Sequence, residues 1–414
     1  MINRFMLGSG TDRKKDFIWN MLGSGIYAVA AVLLSFLTIR IVGEVQGGIF
    51  AISITLGQLL MYISYYELRN YQITDSTGEY EFKDYHMTKI ILSILMMIIS
   101  VIYIFVKGYS PYKGFVIFLM CFYRMTDGYA DVYESQLHKS GRLDVAGKSL
   151  AVRTTVTTIV YFVSLIITHD IMLSMIWTCI SAVISVIVFL IMPFKSIIKI
   201  GLSSDLNKIV SLIRKAFPLF VAMFLWSYLL SATRIAIDAN MTEEYQSYYQ
   251  ILFLPVSVIN LVAGFIFRPI LVDLTDMFKN HEMVKFYKLI GKNVFLVFGF
   301  TGVCMLGAYI IGIPVLSALT ACDLSDYRLL LVFLIFAGGI NAVSIILYYI
   351  LTINRNRRAI MAGYIIAALF AYFSSDYMVA ANGLWGGALS FLLTALILVL
   401  IFLIVVIYMG RNRD

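Results

Sequence analysis

Three charged residues share one face of an otherwise apolar stretch. Arg124, Asp127 and Asp131 follow at i, i+3 and i+7, so a helix at Tyr112–Val132 points all three the same way. A charge at mid-bilayer costs about 2.5–3.5 kcal/mol even on a lenient insertion scale, so such a face looks into protein or water rather than lipid. Two chemistries suit it. One is a cationic centre in a substrate cavity with a spare carboxylate free to titrate. The other is an Arg124–Asp127 pair that only fixes helix packing. A second face carries Ser227, Ser231, Arg234 and Asp238. Arg234 either lines a cavity or snorkels to the outer interface with Asp238 as its exposed partner, and Arg40 poses the same choice. Asp127, Asp131 and Asp238 are the candidates for binding a coupling ion.

Uncharged polar groups add a weaker signal. Asn20, Ser24 and Tyr27 share a face, with Gly23 and Gly25 beside them; Gln58 and Tyr62, and Tyr249, Gln250 and Asn260, follow in later spans. Such groups hydrogen-bond neighbouring helices at about 0.6 kcal/mol each, or, at Asn20, Tyr27 and Tyr249, touch a substrate. Arg153 is either a headgroup contact or part of a cytoplasmic mouth. Cys121, Cys179, Cys304 and Cys322 show no paired spacing, and His86, His138, His169 and His281 read as scattered loop residues. No metal motif, no catalytic cluster and no cofactor is expected.

The elements that position these residues are membrane spans. The chain has 414 residues, 61% of them hydrophobic and 14% charged, with a mean hydropathy of +0.88. Soluble domains run to about 45–50% apolar and 25% charged. Runs long enough to cross a bilayer recur throughout. They fall at Phe17–Ile39, Gly47–Tyr66, Thr88–Val106, Tyr112–Val132, Leu150–Thr168 and Ile171–Phe194, then Phe217–Ile237, Ser247–Phe267, Leu289–Val315, Tyr327–Thr352, Ile360–Tyr377 and Gly383–Tyr408. The first run has spanning length and no small-residue cleavage pattern, so no cleavable signal peptide is expected.

The spacing predicts an all-α integral membrane protein with twelve transmembrane helices in two pseudo-symmetric six-helix lobes, 1–194 and 217–414. A polar stretch at 195–216 joins them. In it, Ser203, Ser204 or Asp205 would cap an amphipathic helix with Leu206, Ile209, Val210 and Ile213 on its apolar face. Asn207, Lys208, Ser211, Arg214 and Lys215 would face cytoplasmic headgroups.

The net charge of +8 follows from topology, with no need for nucleic acid as a partner. With both termini cytoplasmic, about 26 of the 32 Lys and Arg fall inside and about four outside, as the positive-inside rule requires. One loop dissents: Glu67, Asp75, Glu79, Glu81 and Asp84 outnumber Arg69 and Lys83. The halves echo each other at an offset of roughly 195–200 residues, as in duplicated transporters. Arg40 and Glu44 match Arg234 and Asp238, while Arg69, Thr74 and Asp75 match Arg268, Thr275 and Asp276.

Several stretches in this frame resemble a known family. They are YELRNYQITD (66–75), GRLDVAGKSLAVR (141–153), TRIAID (233–238), FLPVSVINLVAGFIFRPIL (253–271), LTINRNRRAIMAGY (351–364) and GLWGGALS (383–390). The chain is similar to the polysaccharide repeat-unit flippases of the multidrug/oligosaccharidyl-lipid/polysaccharide exporter superfamily, whose fold is MATE-like. The resemblance covers nearly the whole chain; it rests on the order of the stretches, none of which is a catalytic signature. It implies transfer of an undecaprenyl-pyrophosphate-linked oligosaccharide from the inner to the outer leaflet of the bacterial cytoplasmic membrane by alternating access. The partners it implies are the lipid-linked substrate, membrane lipids, a polysaccharide polymerase and other assembly proteins. Arg124 and Arg234, one per lobe, are then the candidates for its phosphates. The chain resembles the superfamily's drug exporters less, because its first span lacks an internal carboxylate for a coupling ion. The peptidoglycan-precursor flippases have two more helices. A polymerase or glycosyltransferase is disfavoured, because the outer loops are short and hold no acid/base cluster.

Overall fold

The structure, a computed structural model, describes residues 6–8, 13–75, 78–267, 270–280, 282–353 and 356–411; Arg268, His281, Arg355 and Arg413 lie outside these. Among the described residues the chain is helical throughout, with no strand. Two compact units divide it, Met1–Ser227 and Tyr228–Asp414.

The first unit begins with α1 (Arg13–Val42), α2 (Glu44–Tyr65) and the short α3 (Leu68–Thr74). It continues with α4 (Phe82–Lys107), α5 (Pro111–Lys139), α6 (Leu143–Thr168) and α7 (Ile171–Val186). Beyond α7 the helix widens into a π turn at Ile187–Ile191 ahead of Pro193. A proline lacks the N–H that the preceding turn would use, and a wide turn absorbs the misfit. Helix α8 (Leu206–Asn240) crosses the division between the units.

The second unit holds α9 (Glu243–Phe267), the short α10 (Leu271–Lys279), α11 (Met283–Gly307), α12 (Arg328–Ile353) and α13 (Arg357–Arg411). Helix α11 extends through a second π turn, Ala308–Gly312, ahead of Pro314, and on into Ile313–Thr320. Helix α13 is a hairpin. Gly383 has φ 56° and ψ −135°, a conformation open to glycine, and the Oγ atoms of Ser375 and Ser390 meet at 2.9 Å. In a straight helix those residues would stand about 22 Å apart.

Ten described helices are long and apolar enough to cross a membrane. Counting the two arms of α13 separately and adding α5, 29 residues long but interrupted by charges, gives the twelve expected spans. The second span of each half is followed by a short helix, α3 in one unit and α10 in the other. The finer echo is less exact. Gly43, at φ 82°, breaks the helix between Arg40 and Glu44, whereas Arg234 and Asp238 share one unbroken helix.

The polar joining stretch differs from expectation. Asp205 does cap a helix, its Oδ1 accepting from the Lys208 backbone N–H at 3.2 Å. That helix is the beginning of α8 itself, and its buried face is Ile209, Leu212 and Ala216, while Leu206 and Val210 are 68% and 61% exposed. Its cations meet protein. Lys215 Nζ lies 2.5 Å from Glu79 Oε1 and Lys208 Nζ 3.9 Å from Asp84 Oδ2; the Tyr71 hydroxyl donates to the Lys215 carbonyl at 2.7 Å. Rings of Tyr66 and Phe220 stack at 4.3 Å. The dissenting acidic loop is therefore the counter-charge of the basic stretch, which the positive-inside rule could not reveal because acids carry little weight in it. His86 also departs from the loop reading. It is buried on α4, with Nδ1 3.0 Å from the Gly201 carbonyl oxygen and Nε2 2.8 Å from the Tyr129 hydroxyl.

The Lys215 contact holds the Glu79 carboxyl below its ordinary value of 4.5. A lowered folded value means that the contact stabilises the docked loop above that pH and fades as pH falls through the lower folded value. Protection of the Gly78–Glu81 amides, measured as exchange relative to the intrinsic rate at each pH, is expected to fall on acidification in the wild type, and already at neutral pH in Lys215→Ala. Protection independent of both would remove the contact from the account.

Candidate functional site

Helix α5 presents Arg124, Asp127, Asp131 and Glu134 at steps of three, four and three, one stripe along its buried side. The glycines that let neighbouring helices close on α5 decide what meets this stripe. Helix α2 crosses at Gly57 and Gly128: a Cβ on Gly57 would stand 3.2 Å from Arg124 Cγ, and one on Gly128 would overlap Ser64. Helices α1 and α6 cross backbone to backbone, because a Cβ on Gly147 would lie 2.5 Å from the Trp19 carbonyl and one on Gly23 2.6 Å from the Gly147 oxygen. Of the small residues of the first span, Gly23 thus serves close packing, whereas Gly25 has open space beside it. Gly147→Ala is expected to push these helices apart and cost about 1–3 kcal/mol, read as a lower unfolding temperature in detergent. An unchanged transition would show that the crossing gives way freely.

Into this frame come a tyrosine from α1, a lysine from α4 and arginines from α6 and from just after α2. Arg124 Nη1 donates to the Tyr27 hydroxyl at 2.6 Å and lies 3.7 Å from Asp127 Oδ2, with its guanidinium over the Tyr27 and Tyr123 rings. Arg153 reaches Glu134 Oε1 at 2.5 Å and Asp127 Oδ1 at 3.7 Å. Arg69 reaches Asp131 at 3.1 Å and Glu134 at 3.8 Å. Lys89, its side chain fully buried, gives one bond to Asp131 Oδ2 and one to the Tyr65 carbonyl, each 3.1 Å.

The result is one continuous chain of charge: Lys89, Asp131, Arg69, Glu134, Arg153, Asp127, Arg124. Four cations face three carboxylates. Only Arg69 has much exposure, at 38% of its side chain; Arg124 keeps 5%. Burying charges singly is prohibitive, and alternation is what lets seven sit together. The Arg124 end is the least satisfied. Arg124 Nε and Asp127 Oδ2 are buried and make no hydrogen bond among the described residues. Beside Asp127 a cavity of about 10 Å³, lined by Tyr123, Thr126, Arg153, Thr154, Thr157 and Ala182, is just large enough for one water.

Of the residues proposed from sequence, the structure brings Tyr27, Arg124, Asp127, Asp131 and Arg153 together. Asp131 is buried and doubly paired. Asn20 lies on α1 at the Gly147 crossing, half-buried, and Arg40 is exposed near the end of α1. The second unit has a separate, smaller cluster. Arg234 donates to Gln250 Oε1 and to the Leu230 carbonyl, each at 3.2 Å, with its guanidinium 4.5 Å from the centre of the Phe253 ring. The buried Tyr249 hydroxyl bonds Thr233 at 3.2 Å, and Asp238 is half-buried one turn beyond Arg234. Sequence reasoning missed Lys89 and Glu134 and read Arg69 only as a loop cation. Glu134 continues the α5 stripe and was detectable; Lys89 stood at the edge of an expected span. The described residues hold no group of His, Cys, Asp and Glu arranged for a metal ion.

No protein-family model matches the chain, and no characterised protein matches its sequence. Solved structures share its fold. The lipid II flippase MurJ, in an inward closed conformation, aligns with a TM-score of 0.66 at 15% identity over 93% of this chain and 87% of that one. An inward-facing multidrug resistance MATE family transporter of the MOP superfamily gives 0.60 at 14% identity over 96% and 93%. A MOP superfamily transporter from Pyrococcus furiosus gives 0.54 at 12% identity over 96% and 94%. At these identities the likeness is one of fold, and these neighbours are transporters and flippases, not enzymes. The chain is thus a multi-pass, all-helical membrane protein with the fold of the MATE transporters and the lipid II flippase.

Proposed function

We propose that the protein is a flippase that moves undecaprenyl-pyrophosphate-linked oligosaccharide repeat units from the inner to the outer leaflet of a bacterial cytoplasmic membrane. Two six-helix lobes, with both termini in the cytoplasm, would alternate access to the two sides. The observation that carries this reading is the buried charge chain of the first unit, which ends on a guanidinium with a spare N–H. A diphosphate bearing sugars cannot cross hydrocarbon unaided, because an unpaired buried charge costs many kcal/mol. Arginine, with its planar fork of donors, suits phosphate oxygens. Arg124 and Arg234 are assigned to the phosphates, with Arg40, Arg153, Asn20, Tyr27 and Tyr249 as further substrate contacts. Asp127 is the carboxylate best placed to exchange a proton, since its two cations stand 3.7 Å away and its Oδ2 makes no hydrogen bond among the described residues, whereas Asp131 is bonded to two cations at 3.1 Å. Similarity to the lipid II flippase supports a lipid-linked substrate, and a polymerase and other assembly proteins would receive it. Sealed vesicles holding the purified protein and a fluorescent lipid-pyrophosphate oligosaccharide test the reading: the label should reach the far leaflet at a rate proportional to protein.

The MATE transporters among the structural neighbours favour one other reading, an efflux pump for small amphiphiles. Drug accumulation in cells separates the two. A fall in accumulated dye on expression, with no lipid translocation in vesicles, would replace the flippase by the pump.

A further inference from the structure

The first unit carries an apolar groove of about 560 Å³ that the charge chain does not use. Helix α4 forms its floor with Ile90, Ile94, Met97 and Val101, a single stripe at steps of four, three and four, and α5 walls it with Met125 and Tyr129. From Ile90 to Ile102 the floor runs about 18 Å. Ile94, Ile98 and Ile102 are each more than half exposed. The groove is open and its walls are apolar. It is much shorter than a long polyisoprenoid.

Beyond one end of the groove lie cations and carboxylates together. Lys83 lies on the same stripe seven residues before Ile90, about 10 Å along the helix. There the segment after α7 packs onto α4: the Phe194 ring stands 4.8 Å from that of Phe82, and the Gly201 carbonyl lies 3.0 Å from His86 Nδ1. That segment brings Lys195 and Lys199, both exposed and in no ion pair among the described residues. The neighbouring cations are already engaged, Lys83 with Glu81 at 3.0 Å and Lys208 with Asp84 at 3.9 Å. An open apolar channel with two lysines on the segment beside the start of its floor helix matches a molecule with a hydrocarbon tail and an anionic head.

We propose that the groove seats one acyl chain of an anionic glycerophospholipid, with its phosphate at Lys195 and Lys199. Such a lipid binds α4 and the segment after α7 at once, and so steadies the stretch that His86 ties down. The proposal requires only a membrane around the protein and stands apart from the flippase reading.

Delipidated full-length protein, titrated with phosphatidylglycerol, phosphatidylethanolamine or undecaprenyl phosphate and read by native mass spectrometry, tests it. One phosphatidylglycerol is expected per chain, bound roughly tenfold more tightly than phosphatidylethanolamine. Met97→Trp, which fills the floor, should weaken both phospholipids about tenfold. Lys195→Glu with Lys199→Glu should bring phosphatidylglycerol down to the level of phosphatidylethanolamine and leave the latter unchanged, and this pair carries the test if the tryptophan variant does not fold. Equal affinity for the two headgroups, preference for undecaprenyl phosphate, or unaltered binding in the charge variant would each overturn the proposal.

Discussion

Arg124→Ala, in full-length protein reconstituted into vesicles, is expected to lower the rate of lipid-pyrophosphate translocation by roughly two orders of magnitude. Loss of a charge-assisted phosphate contact is worth about 1.5–3 kcal/mol, and a desolvated site adds to that. The protein itself should survive the change. Asp127 keeps Arg153 at 3.7 Å, while Tyr27 loses the guanidinium that both its hydroxyl and its ring meet. Arg124→Lys separates charge from geometry. It preserves the cation but not the forked donors, so an intermediate rate is expected. Arg234→Ala should be similarly defective, through its own cluster with Gln250 and Phe253. Cells dependent on the protein should lose surface polysaccharide in both alanine variants while keeping normal amounts of protein in the membrane. Full translocation by both variants would remove the arginines from the substrate path and leave Arg124 as a packing residue.

The largest effect on stability is expected at the other end of the charge chain. Asp131→Ala strips Lys89 of its carboxylate while that ammonium stays buried, with the Tyr65 carbonyl as its remaining hydrogen bond among the described residues. Arg69 keeps Glu134 at 3.8 Å and is partly exposed, so it suffers less. Breaking a buried pair from one side costs about 3–5 kcal/mol. Thermal unfolding in detergent should show it as a large downward shift, or as failure to accumulate in the membrane. The double variant Asp131→Leu, Lys89→Met should recover most of the loss, because an apolar pair of similar size carries no desolvation penalty. A double variant as unstable as Asp131→Ala would mean that Asp131 acts through Arg69 instead.

Much of this architecture can be read without coordinates. A bilayer demands long apolar helices and satisfied backbone, so span number and order follow from hydropathy. The stripe on α5 is legible because one helix encodes it in its own spacing. What spacing cannot encode is the partner from another helix. Lys89 sits one residue inside the expected third span and counts there as a topological cation; only the fold carries it across to Asp131. The joining stretch misled for a related reason. Leu206 and Val210 fit an apolar face on a helical wheel, but the surface that receives α8 is built from Tyr66, Tyr71 and an acidic loop far away in sequence. His86 likewise gives no local sign that Tyr129, Tyr133 and the Gly201 carbonyl will surround it.

The meeting of α1 and α6 at Gly23 and Gly147 has a mechanical corollary. Interlocked leucines must unlock before a helix pair can turn, whereas here the crossing is bare backbone and the locks lie on either side of it: the Asp144 N–H donates to Asp16 Oδ1 at 3.0 Å, and the Thr38 and Tyr161 hydroxyls meet at 3.0 Å. Close van der Waals contact at the crossing resists separation, and a swivel must first release those two polar contacts. Once they part, a roll of α1 about the crossing would move the Tyr27 hydroxyl to which Arg124 donates, and so couple helix rotation to the end of the charge chain.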